Sequence, residues 1–145
     1  MFKYLFLIIF LFFPLNSYSS DDAISQFVYG YLKRINDFID DEKYEDAQRE
    51  LDIFVRRYFV NEQSYERALI NQLYGNFHAI QGDYEAAIPW YEKSLKFKKM
   101  PLVTGLQVRV GLSQCYFQMS DYKNTIKILE EYKAIAEKRR LLFPP

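Results

Sequence analysis

His78 and Cys115 are the residues through which this chain could do acid–base or covalent chemistry, and each is the only one of its kind among 145 residues. A general base or nucleophile needs a partner held against it. Around His78 the helical neighbours are Tyr74 and Gly82, neither of which orients an imidazole or supplies a carboxylate, so a packing role is expected. Cys115 has no second thiol, which excludes an internal disulfide or a cysteine metal cluster within one chain. It reads as a small helix-packing residue.

Two charge clusters are the other candidates. Asp37, Asp40, Asp41 and Glu42 lack the alternating oxygen ligands and the glycine of a calcium loop, so they read as a solvated helix end and turn. Lys96, Lys98 and Lys99 fall at the end of a helical pattern, where cations oppose the negative end of the helix dipole. There is no glycine-rich phosphate loop, zinc-protease motif or serine-hydrolase motif. The expectation is a chain with no catalytic residues, no metal and no cofactor.

The elements that hold these residues show most plainly from Leu73 to Leu95. Gly75 and Ala87 are small where two helices must touch, and Gly82-Asp83 makes a turn between them. Tyr84, Ile88, Tyr91 and Leu95 recur at helical spacing, as do Tyr122, Ile126 and Leu129, which predicts amphipathic helices with these as the buried faces. The Asp83-Tyr84 turn has counterparts at Lys43-Tyr44 and Asp121-Tyr122. Three helical hairpins follow, over about 27–58, 64–99 and 102–138.

Within them the predicted helices run about 27–40 and 44–58, then 64–81 and 84–97, then 102–119 and 122–137. Pro89 falls in the first or second turn of its helix, where the missing N–H does least harm. Ile35 stands at the equivalent of Gly75 in the first hairpin, and Ser113 and Thr125 take the two small positions of the third. Extra residues between hairpins fall around 58–61 and 100–105.

Residues 1–19 carry Lys3, an apolar run from Tyr4 to Phe13, Pro14 and then small polar residues, the layout of a secretory signal peptide. The run is shorter than the roughly 20 residues of a membrane-spanning helix. Export to the periplasm with cleavage near Ser19 is expected in preference to anchoring by residues 4–15, leaving residues 20–145 as one domain. With Lys3 removed from 19 basic residues against 19 acidic, the charge lies near −1. That balance makes no electrostatic case for nucleic acid.

The hairpin at Leu73–Leu95 resembles a tetratricopeptide repeat, a helix-turn-helix unit of about 34 residues. The resemblance implies an all-α, TPR-like α-solenoid that acts as a scaffold for a protein or peptide, with no small-molecule substrate. The span Ser64 to Tyr132 is further similar to bacterial periplasmic repeat proteins associated with TonB-type energy-transduction systems. The similarity rests on Glu66-Arg67-Ala68, the Gly-Asp-Tyr turn, Met100-Pro101, Leu112 and Tyr116.

Residue by residue, the resemblance selects a concave partner-binding face on the first helix of each hairpin. The first hairpin contributes Asn36 and Ile39, the second Gln72, Asn76 and Ala79, and the third Gln107, Val110, Gln114, Phe117 and Gln118. Amide and apolar groups suit an extended backbone better than a terminal carboxylate. The alternative is a self-associating unit, a homodimer through a C-terminal helix that lacks the polar outer face of a capping helix, with Leu141, Leu142 and Phe143 at its end.

Overall fold

The computed structural model describes residues 26–57 and 64–142, and these form six helices. In chain order they are α1 (Gln26–Asp40), α2 (Tyr44–Arg57), α3 (Tyr65–Ile80), α4 (Tyr84–Leu95), α5 (Leu102–Gln118) and α6 (Tyr122–Leu142). Among the described residues there is no strand, and the architecture is the all-α, TPR-like solenoid of three hairpins. The signal-peptide expectation for residues 1–19 and the connection at 58–63 lie outside the described residues.

The three turns share one backbone geometry despite differing residues. Glu42, Gly82 and Ser120 stand at positive φ, 60°, 81° and 61°. Each donates its N–H three residues back, and the following residue donates five residues back: Gly82 to Ala79 and Asp83 to His78, Ser120 to Phe117 and Asp121 to Tyr116, Glu42 to Ile39 and Lys43 to Phe38. This paired arrangement is a Schellman motif, which satisfies helix-end carbonyls while reversing the chain. Asp83 and Asp121 then cap the next helix by accepting from Ala86 and Asn124. Lys43, in the corresponding place, brings no such acceptor.

Each helix packs on its chain neighbour, and α3 also meets α5 directly, so the first helices of the second and third hairpins adjoin. Two apolar cores result. One gathers Val28, Leu32, Ile35, Ala47, Leu51, Phe54, Leu69, Leu73 and Phe77 from α1, α2 and α3. The other gathers Ala79, Ala87, Tyr91, Val108, Leu112, Cys115 and Ile128 from α3 to α6, with Met100 touching both.

Tyr91 on α4 is the pivot of the second core. Its ring lies so close to α3 that a Cβ added at Gly75 would sit 2.9 Å from it, and a Cβ at Gly111 of α5 would sit 2.8 Å from it. Buried polar contacts fasten the same elements: Ser94 donates to the Ala68 carbonyl at 2.8 Å, and the Tyr65 and Thr104 hydroxyls meet at 2.8 Å. Toward the first hairpin, the Tyr74 hydroxyl donates to Asp52 at 2.6 Å. Trp90 stacks on Tyr74 at 4.6 Å between centroids, with the Lys93 ammonium 4.3 Å above its ring.

Two expectations are corrected. Helix α6 continues to Leu142, beyond the expected end near 137, because its Lys, Glu, Ala and Arg residues favour helix and no proline intervenes before Pro144. More consequentially, Tyr122, Ile126 and Leu129 do not face the core: they are 56%, 57% and 47% exposed. The side of α6 that packs on α5 carries Thr125 and Ile128 instead.

Candidate functional site

The predicted partner-binding residues all stand on the first helices of the hairpins, α1, α3 and α5, but they divide by environment. Ile39 and Ala79 are 6% and 2% exposed. Both belong to the apolar cores, so the expectation that they offer a surface is corrected. Asn76 is engaged within the fold, its Oδ1 accepting the Tyr91 hydroxyl at 2.6 Å. That bond gives the deeply buried phenol a polar end, as buried tyrosines require.

Asn36, Gln72 and Gln114 share a property that no spacing rule announces. Each is half-buried, and the side-chain oxygen of each is shielded yet accepts no hydrogen bond. An amide acceptor in that state costs about 1–3 kcal/mol. One such residue lies on each of α1, α3 and α5. Gln107 and Val110 are half-buried on α5, and at its end Phe117 and Gln118 are exposed, Phe117 meeting Tyr122 edge-on at 5.8 Å.

His78 has a carboxylate neighbour that helical spacing does not reveal. The Schellman turn folds Asp83 back, so that its Oδ2 lies 3.7 Å from His78 Nδ1 while Oδ1 caps α4. The separation exceeds a hydrogen bond, and the carboxylate's one bond shown is the cap to Ala86. Cys115 is fully buried, and burial pushes its thiol up to about 12. A thiol so placed is not a nucleophile at neutral pH.

Among the described residues, no group of three or more His, Cys, Asp or Glu is gathered to hold a metal, and no helix is long and apolar enough to cross a membrane. Sequence reasoning missed Gly111, which matters more to Tyr91 than Ser113 does. A glycine inside an otherwise helical pattern was the available signal.

The family model for the tetratricopeptide repeat matches residues 68–99, most of α3 and all of α4. No curated protein and no solved structure matches the chain at a significant level. Tetratricopeptide repeats generally mediate protein–protein interactions and are typically non-catalytic scaffolds.

Proposed function

We propose that this tetratricopeptide-repeat chain is a non-catalytic adaptor of a bacterial cell envelope that takes an extended segment of a protein partner along α1, α3 and α5. The observation that carries the reading is the set of three amides, Asn36, Gln72 and Gln114, whose oxygens spend no hydrogen bond within the fold. A short rotation of each half-buried side chain presents that oxygen to a partner N–H. Phe117, exposed at the end of the same helix as Gln114, supplies an apolar anchor beside the amide. The envelope assignment is supported by the signal-like pattern of residues 1–19 and by the resemblance to periplasmic repeat proteins.

The test is crosslinking in the native envelope followed by affinity capture, comparing the natural chain with the Gln114→Ala/Phe117→Ala double variant. Gln114 is half-buried with its amide oxygen unbonded and Phe117 is exposed, so truncating them should leave far-ultraviolet circular dichroism unchanged. Envelope proteins captured by the natural chain and lost from the variant support the adaptor reading. Equal capture by both chains sinks it.

A further inference from the structure

The outward side of α6 is an apolar stripe with a charge order beside it. Tyr122, Ile126 and Leu129 follow i, i+4, i+7 spacing on the exposed side, about a quarter turn round from Thr125 and Ile128, and Phe117 joins the stripe through its edge-on contact with Tyr122. Along one flank of the stripe the helix carries Lys123 and Lys127, then Glu130 and Glu137. All four are exposed. The flank runs from Lys123 and Lys127 to Glu130; further on, Glu137 is paired with Lys133 at 3.8 Å and the helix turns basic again at Lys138, Arg139 and Arg140.

We propose that this stripe docks on the same stripe of a second copy of the chain, the two α6 helices running antiparallel about a two-fold axis at Ile126. A two-fold contact must be self-complementary, each residue meeting its counterpart in reverse order. Centred on Ile126, the axis brings Tyr122 of one copy within one residue's rise of Leu129 of the other, and Lys123 of one copy within one residue's rise of Glu130 of the other, twice over. In a parallel two-fold pairing this flank would instead meet the partner's other flank, which carries Thr125 and Tyr132, and Lys123 would find no Glu130. The charge order therefore selects the antiparallel arrangement.

This docking shares only the flanking Phe117 with the adaptor face, and the variants below leave every adaptor residue in place, so the two readings fail separately. Site-directed crosslinking of the full chain tests it, because the native Cys115 is fully buried and leaves an introduced thiol as the reporter. Under mild copper-catalysed air oxidation, Ile126→Cys should give a covalent dimer. Lys138→Cys should not, since at 1.5 Å per residue the two copies of that position lie about 36 Å apart. In the Ile126→Cys background, Lys123→Glu should lower the dimer yield several-fold, and adding Glu130→Lys should restore it. No dimer from Ile126→Cys, an equal yield from Lys138→Cys, or failure of the charge exchange to restore the yield overturns the proposal.

Discussion

Gly111 and Tyr91 stand closer than any side chain at 111 would allow: a Cβ there would lie 2.8 Å from the Cζ of the ring and 2.9 Å from its hydroxyl oxygen. With Gly75 pressing the other part of the same ring, the phenol is held between α3 and α5 and fixes how far apart those helices lie.

Adding even one carbon should therefore strain the core. Gly111→Ala and Gly75→Ala are expected to destabilise by about 1–3 kcal/mol each through overpacking, and Gly75→Leu and Ala87→Leu at least as much. Gly30→Ala is the control, with nothing within 4 Å of the added carbon. It should be neutral or stabilising by up to about 1 kcal/mol from helix propensity. Urea unfolding midpoints decide it, and equal midpoints for all three alanine variants would refute the clamp.

The shared turn geometry predicts gains as well as losses. Glu42 and Ser120 hold the left-handed conformation that Gly82 adopts freely, at a cost of roughly 1–2 kcal/mol for an L-residue. Allowing for the greater freedom of glycine in the unfolded chain, Glu42→Gly and Ser120→Gly should each stabilise by about 0.5–1 kcal/mol. Thermal unfolding of Ser120→Gly checks this, and a lowered Tm would contradict it. Lys43→Asp should add about 1 kcal/mol by completing the missing helix cap.

Stability should fall in alkali, and the direction follows from three phenols. Burial, with Glu92 alongside, pushes the Tyr116 hydroxyl from 10.0 up to about 12. Burial raises Tyr91 well above its ordinary value, and burial with the bond to Asp52 does the same for Tyr74. The folded chain keeps these protons at a pH where the unfolded chain has lost them. Their contribution is fully present below pH 10 and falls as pH climbs above it, that of Tyr116 being lost by about 12 while those of Tyr74 and Tyr91 keep falling beyond. Denaturant midpoints measured across that window should drop steadily. A flat profile between pH 10 and 12 would show the phenols ionising freely in the fold.

Cys115 should be silent toward thiol reagents at neutral pH and react fully once denaturant is added, since its thiol is buried and raised to about 12. Stoichiometric labelling of the folded chain would place the residue at the surface and contradict the packing described.

The hairpin turns were legible because a tyrosine opens the helix two residues after each left-handed position, giving Lys43-Tyr44, Asp83-Tyr84 and Asp121-Tyr122 a common register. The outward side of α6 was not legible. Periodicity identifies stripes without saying which one meets a neighbour, and α6 has two: Tyr122, Ile126, Leu129 and Thr125, Ile128, Tyr132. Ile39 and Ala79 were misplaced for a related reason. Repeat register names positions on a first helix, but how far the adjoining helix covers them depends on packing. The Asp83 neighbour of His78 escaped notice because a left-handed turn, not helical spacing, brings it near.

The stack of Trp90 on Tyr74 makes the molecule its own optical instrument. Trp90 is the sole indole in the chain, and it is wedged between an ammonium and a phenol that is itself tied to the first hairpin. Its emission therefore samples the junction of the first two hairpins selectively. A fluorescence trace that lags or leads the backbone signal would reveal whether the solenoid comes apart as one body or from its ends inward.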